Sequence, residues 1–210
     1  MTAPLCTLCD RWKCFYDTYG KNNLKGVGDE NADIMLVGEC YSDDNEANTG
    51  IPFVGASGKM LNEMLLYAGV QREDVFITNA LRCWHPDNKT PSVREIKNCR
   101  PYLLNEINTV KPKIIIAIGR IPMTALGIKE DQSAAVGKLH KSPYTTVPVF
   151  AIYHPAYILR NRKLKDTNFE YFKKGVESIG KKIINGLVTD NYYVVRTVCQ
   201  AKKARDFLLG

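Results

Sequence analysis

The stretch Ile114-Ile115-Ile116-Ala117-Ile118-Gly119 is an uninterrupted apolar run that ends at a glycine. Three similar runs occupy Ile34–Gly38, Val75–Asn79 and Val147–Tyr153. Short runs that are rich in β-branched residues are typical of strands buried on both faces of a parallel sheet. The chain is therefore predicted to contain four such strands.

Amphipathic stretches between these runs are predicted to be helices. Between residues 57 and 68, the side chains of Met60, Leu61, Met64 and Leu65 follow helical spacing. Strands that alternate with helices along a chain build layered folds with a parallel sheet. The predicted fold is thus a three-layer α/β/α sandwich around a four-stranded, mostly parallel sheet.

A further helix start is marked by Ser92 and Glu95. Serine is a preferred N-cap residue, and a glutamate three residues later completes the pattern called a capping box. We expect this helix to contain Cys99 and to end near Val110, because Pro112 cannot continue it.

Composition narrows the class of protein. The chain has 210 residues and a formal net charge of +7. It opens without the apolar run of a signal peptide and has no apolar stretch of membrane-spanning length. A cytoplasmic protein of a bacterium or a phage-infected host cell, with no membrane contact, is therefore expected. The positive charge suits a polyanionic partner, although many proteins of this charge bind no nucleic acid.

Polar groups follow the predicted strands. Gly38 ends the first strand and is followed by Glu39 and Cys40. Asn79 ends the second strand, and His154 follows the fourth. Because parallel strands bring their carboxyl ends to one edge of the sheet, where α/β proteins bind ligands, we expect these residues to share one site.

Four of the seven cysteines form two distant pairs. Cys6 and Cys9 make a Cys-x-x-Cys motif near the start, and Cys83 and Cys99 lie in the middle of the chain. Two such pairs on one metal centre would tie the N-terminal segment to the middle of the chain. Four thiolates suit a zinc ion as well as an iron–sulfur cluster, so the residues alone leave the metal open.

Three blocks of the sequence resemble those of one enzyme family. Thr49-Gly-Ile-Pro-Phe-Val-Gly-Ala-Ser-Gly58 resembles the Gly-x-Pro-Phe-Val-Gly-x-Ala-Gly signature of family 4 uracil-DNA glycosylases, the iron–sulfur type. Phe76–Asn79, followed by Cys83 and Cys99, is similar to the second block of that family. His154-Pro-Ala-Tyr-Ile-Leu-Arg160 is similar to the third. The blocks also stand in the family's order.

The resemblance implies a monofunctional enzyme that flips uracil, or a modified uracil, out of DNA and hydrolyses its glycosidic bond. Phe53 would stack on the flipped base, and Asn79 would read its Watson–Crick edge. His154 would hydrogen-bond a pyrimidine carbonyl and stabilise the negative charge on the departing uracil. Glu39 would lie beside the sugar and the attacking water, with backbone groups of Gly38 and Cys40.

The turn after the first strand departs from the family pattern. That pattern is close to Gly-Glu-Ala-Pro-Gly, whereas this chain has Gly38-Glu39-Cys40-Tyr41-Ser42. A proline that stiffens this turn and a glycine are missing, and Tyr41 or Ser42 is expected to narrow, widen or re-polarise the base pocket. A catalytically degenerate module that binds DNA, or only stabilises a phage DNA polymerase, is therefore the alternative function.

The remaining implied roles concern DNA and the metal. Ile158, Leu159 and Arg160 would enter the groove and hold the gap left by the flipped nucleotide. The resemblance also implies a [4Fe–4S] cluster of structural role on the four paired cysteines, with zinc as the alternative. DNA is the implied partner, and the isolated domain is expected to be a monomer.

The end of the chain suggests a second unit. Residues 192–209 are predicted to form a strand and an amphipathic helix, similar to the opening of the 3′–5′ exonuclease domain of family A DNA polymerases. The expected boundaries are therefore 1–185 for the glycosylase-like domain and 186–210 for a linker or the start of an exonuclease-like domain in a larger polymerase chain. An ordinary C-terminal strand and helix that complete the sheet is the alternative.

Overall fold

A computed structural model of the protein describes residues 6–85, 87–179, 182–184 and 187–189. A six-stranded sheet with the order β1-β3-β2-β4-β6-β5 lies at its centre. Its strands are β1 (Val27–Gly28), β2 (Ile34–Gly38), β3 (Val75–Asn79), β4 (Ile114–Ile118), β5 (Leu139–His140) and β6 (Val149–Ile152).

The four predicted strands are confirmed as the parallel centre of this sheet. β2 pairs with β3 and with β4, and β4 pairs with β6, all in parallel. The register places Gly38 opposite Asn79, so the two strands end at the same level. The sheet is larger than predicted, because β1 and β5 add an antiparallel strand at each edge. Each of these has only two residues, too few to leave a periodic pattern in the sequence.

The helices lie in chain order between and after the strands. They are α1 (Arg11–Tyr19), α2 (Asp44–Thr49), α3 (Ala56–Tyr67), α4 (Val93–Val110), α5 (Arg120–Ala125), α6 (Gln132–Ala135), α7 (Pro155–Arg160) and α8 (Lys165–Glu177), with 3₁₀ turns at Arg72–Asp74 and Arg162–Leu164.

Alternate residues of the central strands supply the two faces of a three-layer sandwich. On one face, Met35 and Ile115 belong to an apolar cluster that includes residues of α4 and α5. On the other face, Leu36 and Ile116 belong to a cluster that includes residues of α3, α7 and α8. Successive strand residues point to opposite faces, so both faces of the sheet are covered and the predicted layers are confirmed.

Helix α4 begins and ends where the sequence predicts. The Ser92 side chain accepts a hydrogen bond from the Glu95 amide, and the Glu95 carboxylate accepts one from the Ser92 amide, so the capping box is complete. The helix contains Cys99, and its C-cap is Lys111, which adopts a left-handed conformation with φ of 53°.

Beyond α8 the structure describes one hairpin, in which β7 (Lys182–Ile184) pairs antiparallel with β8 (Leu187–Thr189). The strand and helix predicted for residues 192–209 lie outside the described residues. No helix in the described part of the chain is long and apolar enough to cross a membrane.

Candidate active site

A cavity of about 440 Å³ opens at the carboxyl ends of the central strands. The structure brings six of the predicted site residues to its wall: Glu39, Cys40, Phe53, Asn79, His154 and Arg160. They come from the ends of β2 and β3, from the segment before α3, and from the start and the end of α7. The expectation that polar groups at the strand ends share one site is therefore met in the structure.

Phe53 forms an aromatic wall of this cavity. Its ring stacks along the imidazole of His154, with centroids 5.8 Å apart and an interplanar angle of 28°. Its backbone is left-handed, with φ of 58°, which is uncommon for a bulky residue. Gly38 leaves room for the ring, because a Cβ atom there would lie 2.6 Å from the Phe53 ring and would also collide with Oδ1 of Asn79.

Glu46 holds Phe53 in this conformation, a role that no sequence pattern predicts. Its Oε1 accepts a hydrogen bond from the Phe53 amide at 2.7 Å, and its Oε2 accepts from the amide of Ser42 at 2.8 Å and from the Ser42 hydroxyl at 3.1 Å. Only 5% of Glu46 is exposed, and burial raises the pKa of its carboxyl although the amide of Ser42 opposes that shift. An acidic residue in a run of acids is usually solvated, which is why sequence patterning missed it.

Arg72 supports the same segment from the other side. Its Nη2 donates to the carbonyl oxygen of Pro52 at 2.7 Å, and its Nη1 donates to Oδ1 of Asn62 at 2.8 Å. The residue before Phe53 is thus fixed by Arg72 while the amide of Phe53 is fixed by Glu46. The two charged side chains hold a strained backbone that would otherwise relax.

His154 is positioned as the N-cap of α7. Its Nδ1 accepts a hydrogen bond from the Ala156 amide at 3.1 Å, which leaves the proton of the neutral ring on Nε2. Burial, and after it the positive charge of Arg160, lower the pKa of His154 to about 4. The imidazole is therefore neutral near pH 7 and offers an N–H donor.

Asn79 ends β3 and is 3% exposed. Within the part of the chain that the structure describes, its side-chain amide makes no hydrogen bond, although it lines the cavity. Among the described residues, neither the donor nor the acceptor of this amide is a fully buried atom without a partner, so both are accessible to a ligand in the cavity. The arrangement is therefore suited to a planar ligand with a complementary edge.

Glu39 and Cys40 lie on the turn after β2. Burial raises the pKa of Glu39, and the positive charge of Arg11 opposes that rise. Burial, together with the negative charge of Glu39, raises the pKa of Cys40 to about 12, so the Cys40 thiol stays neutral. Tyr41 is 1% exposed and donates to the carbonyl oxygen of Lys25, away from the cavity, so it does not reshape the base pocket as expected.

Asn88 and Tyr157 also line the cavity, and sequence reasoning missed both. Asn88 lies in the loop before α4 with φ of 45°. Asparagine is one of the residue types that favour this left-handed conformation, so an asparagine in a loop is the signal that could have marked it. Tyr157 is 39% exposed and packs on Tyr153, with ring centroids 5.4 Å apart.

The three residues that are predicted to contact the DNA groove differ in their exposure to solvent. Leu159 is 37% exposed, and Arg160 is exposed at the cavity wall. Ile158 is completely buried in the apolar cluster that also contains Phe53. The prediction that Ile158 contacts DNA is therefore wrong for this structure, because one side of the short helix α7 must pack on the core.

The four paired cysteines are free thiols that approach one another. Cys6, Cys83 and Cys99 are buried, and Cys9 is partly buried. Burial raises the pKa of Cys83 to about 12 and that of Cys99 to about 11, and the charges of Cys6 and Cys9 add to both shifts. Within the described ranges, no three side chains of His, Cys, Asp or Glu are placed as ligands of a single metal ion.

Hydrogen bonds within the chain also hold the N-terminal segment to α4. Arg11 Nε donates to Oε1 of Glu95 at 2.7 Å, and the Asn98 side chain donates to the carbonyl oxygen of Leu8. The two cysteine pairs are therefore brought together by the fold as well as by any metal that they bind.

Comparisons with known proteins identify the family. Residues 25–179 match the profile of the Uracil DNA glycosylase superfamily. A Type-4 uracil-DNA glycosylase of Archaeoglobus fulgidus is 36% identical over 177 residues, which cover 81% of this chain and 88% of that protein. One of Saccharolobus solfataricus is 38% identical over 190 residues, or 85% of this chain and 84% of that protein. A DNA polymerase of Bacillus phage SP01 is 30% identical over 155 residues, which cover 73% of this chain but 16% of the polymerase.

Proposed function

The chain belongs to the uracil-DNA glycosylase superfamily, and from this premise we propose that it removes uracil from DNA by hydrolysing the N-glycosidic bond. One observation carries the proposal. A neutral histidine, an aromatic ring and the side-chain amide of Asn79 face a single cavity at the strand ends. A flipped pyrimidine needs a stacking surface, an edge reader and a donor for its carbonyl, and this cavity offers all three.

Base recognition is assigned to Phe53 and Asn79. The flipped base stacks on the Phe53 ring, whose position is fixed by the hydrogen bond from its amide to Glu46. The Asn79 amide then donates to one carbonyl of uracil and accepts from the adjacent ring N–H. Cytosine presents the reverse order of donor and acceptor, so an amide of fixed orientation favours uracil.

Leaving-group stabilisation is assigned to His154. Because its Nδ1 accepts a hydrogen bond from Ala156, its Nε2 carries the proton and donates to the carbonyl oxygen of uracil. Negative charge grows on that oxygen as the glycosidic bond breaks, so the hydrogen bond is strongest in the transition state. Because the pKa of His154 is lowered to about 4, the imidazole is neutral at pH 7, and the neutral ring donates this hydrogen bond.

Glu39 is assigned to the sugar and the water. As a carboxylate beside the breaking bond, it stabilises the positive charge that develops on the sugar and orients the attacking water. Backbone groups of Gly38 and Cys40 complete this turn. The Cys40 thiol cannot act as a base, because its pKa is raised to about 12.

We assign a [4Fe–4S] cluster to the four paired cysteines. In such a cluster each thiolate binds a different iron atom, so the four sulfur atoms stand farther apart than around one zinc ion. The four free thiols, three of them buried and one partly buried, support this assignment, with zinc as the alternative. The cluster would contribute stability, because hydrolysis of a glycosidic bond needs no electron transfer.

DNA contact is assigned to the exposed residues beside the cavity. Arg160 and the neighbouring Arg162 and Lys163 can pair with phosphates, and Leu159 can enter the gap left by the flipped nucleotide. We propose that the domain acts as a monomer, and in the cytoplasm, where reducing conditions keep its thiols free.

The test is excision from single-stranded and duplex oligonucleotides that contain uracil or a 5-substituted uracil. We expect His154→Ala and Asn79→Ala to lower kcat/KM about 100-fold or more. His140→Gln is the matched control, because His140 is buried between Glu130 and the carbonyl oxygen of Ala135, away from the cavity. Absence of excision from every substrate would contradict the proposal, and unchanged excision in both variants would contradict the site assignment.

A second candidate is a module of a phage DNA polymerase that binds DNA without cleaving it. The similarity to the phage polymerase and the altered turn at 38–42 favour it. On this proposal, residues 1–185 are the glycosylase-like domain and residues 186–210 lead into a following domain. Binding of uracil-containing DNA without release of uracil would support this candidate over the first.

A further inference from the structure

Arg11 is a buried charge outside the substrate cavity. It begins α1, and 1% of it is exposed. Its Nε donates to Oε1 of Glu95 at 2.7 Å, and its Nη2 donates to the carbonyl oxygen of Lys89. Its Nη1 is buried and has no hydrogen-bond partner among the described residues. A buried ion pair of this kind stabilises a fold poorly, because desolvation offsets the attraction between the charges.

The contact with Lys89 fixes a loop that reaches the substrate cavity. Residues 87–91 connect β3 to α4, and Asn88 lines the cavity from this loop. Thr90 and Pro91 line a second cavity of about 250 Å³ that also contains Glu39. Arg11 therefore holds the residue next to Asn88 in a loop that flanks Glu39 on two sides.

The charge of Arg11 also reaches Glu39. Burial raises the pKa of Glu39, and Arg11 is the charged group whose effect opposes that rise. The other charged or titratable groups on the walls of the two cavities are Cys40, Glu46, Arg120, His154, Tyr157 and Arg160. Of these, Arg120 and Arg160 are exposed, so water and salt screen their charges more than the charge of Arg11.

We propose that Arg11 is a positioning residue for uracil excision, which holds the Asn88 loop in place and supplies a buried positive charge to the surroundings of Glu39. The inference rests on the proposed function, because Glu39 must act as a carboxylate for the charge to matter. The Arg11–Glu95 pair also links the segments that carry two of the paired cysteines. Arg11 follows Cys9 by two residues, and Glu95 precedes Cys99 by one helical turn.

The test uses two substitutions of Arg11 and one control. Arg11→Met keeps the length of the side chain and removes the charge, and Arg11→Lys keeps the charge but not the planar set of donors. Arg82→Met is the matched control. Arg82 is 5% exposed, pairs with Glu106 at 2.6 Å and precedes Cys83, yet it does not act on Glu39.

Three measurements on the complete chain separate positioning from stability. They are the pH profile of kcat/KM for uracil release, hydrogen exchange of the amides of residues 87–89, and visible absorbance as a measure of cluster content. In Arg11→Met we expect the acid limb of the profile to move up by about one pH unit, because a nearby opposite charge is lost. In Arg11→Lys the limb stays in place. Both Arg11 variants exchange the loop amides faster, and Arg82→Met changes neither property.

Two results would overturn the proposal. One is a folded Arg11→Met protein of normal absorbance whose acid limb and loop exchange match the unaltered chain. The other is Arg82→Met moving the acid limb as far as Arg11→Met does. If Arg11→Met does not fold, a hydrogen-exchange rate of the loop amides in Arg11→Lys equal to that of the unaltered chain would overturn the proposal instead. A chain that releases no uracil at all would refute the proposed function, while the exchange comparison would still decide whether Arg11 holds the loop.

Discussion

The two sides of the substrate cavity are built in different ways. On the stacking side, Phe53 is held by Glu46 and Arg72, which lie within 19 positions of it in the sequence. On the cysteine side, the loop 87–91 beside Glu39 is held by Arg11, 78 positions from Lys89. The stacking side is therefore fixed by local contacts, whereas the cysteine side depends on joining distant segments of the chain.

The proposed metal centre would serve only one part of the site. Cys6 and Cys9 precede α1, Cys83 follows β3 and Cys99 lies in α4, so the four cysteines border the cysteine side alone. A glycosylase needs both a stacking surface and a correctly placed carboxylate. We therefore expect the two sides to fail independently when the contacts of one side are removed.

The largest effect is expected for Cys99→Ala, which removes a proposed cluster ligand from α4. The melting temperature should fall by about 10 °C or more, because ligation and folding are coupled. Hydrogen exchange should rise first in α1 and residues 87–91, while the amide of Phe53 stays protected. Equal loss of protection on both sides would show that the cavity behaves as one unit. Cys14→Ala is the control, since Cys14 is partly exposed and is not assigned to the cluster.

Ile158→Ala removes packing from the apolar cluster that supports the stacking side. Ile158 is completely buried in the cluster that contains Phe53, so we expect a loss of about 2–4 kcal/mol in the free energy of unfolding. Leu159→Ala is the matched control, because Leu159 is exposed and should change stability by less than about 0.5 kcal/mol. Denaturant unfolding measures both, and a weaker affinity for DNA is expected in Leu159→Ala alone. Equal stability losses would contradict the placement of these neighbours.

Glu46→Gln tests the hydrogen bonds that hold Phe53. The amide replacement keeps one acceptor oxygen but cannot accept from Phe53 and Ser42 with both atoms. We expect a rise in KM of about tenfold with a smaller change in kcat, because the stacking ring loses its fixed position. Asp44→Asn on the same short helix is the control, since Asp44 does not line the cavity. A change confined to kcat would instead place Glu46 in the chemical step.

Glu39→Gln gives the smallest change in stability, and its sign is informative. The folded-state pKa of Glu39 is raised above 4.5, so the folded chain binds its proton more tightly than the unfolded chain. The stability from this group is complete below the ordinary value and is lost as the pH rises through the folded value. At pH 7 the amide variant should therefore melt up to about 2 °C higher while excising uracil far more slowly. A lower melting temperature at pH 7 would show that the carboxylate stabilises the fold.

Much of the fold follows from short-range patterns. The four central strands are long enough to leave apolar runs, and α4 carries its own start signal in Ser92 and Glu95. The edge strands could not be predicted, because two residues in β1 and in β5 carry no periodicity. Their pairing depends on neighbours distant in the sequence.

Cavity residues at the ends of strands could be predicted from the sequence. Charged residues that are buried in the folded chain could not, because charged residue types are usually exposed. Asn79 and His154 follow predicted strands, so their place on the rim could be expected. Glu46 sits in an acidic run and Arg11 in a polar helix, yet 5% and 1% of them are exposed. Their burial depends on partners that only the folded chain supplies. Ile158 shows the converse, since a family position does not determine which side of a short helix faces the core.

The pairing of Arg11 with Glu95 also sets an order of assembly. The two residues are 84 positions apart, so at a synthesis rate of about 5–20 residues per second the ribosome needs roughly 4–17 s to supply the partner. During that interval Arg11 has no partner at position 95, and for most of it Phe15 of α1 also lacks Trp84, with which it shares an apolar cluster in the folded chain. The docking of α1 is therefore completed only once α4 has been made, and until then α1 is a segment that a chaperone would have reason to hold.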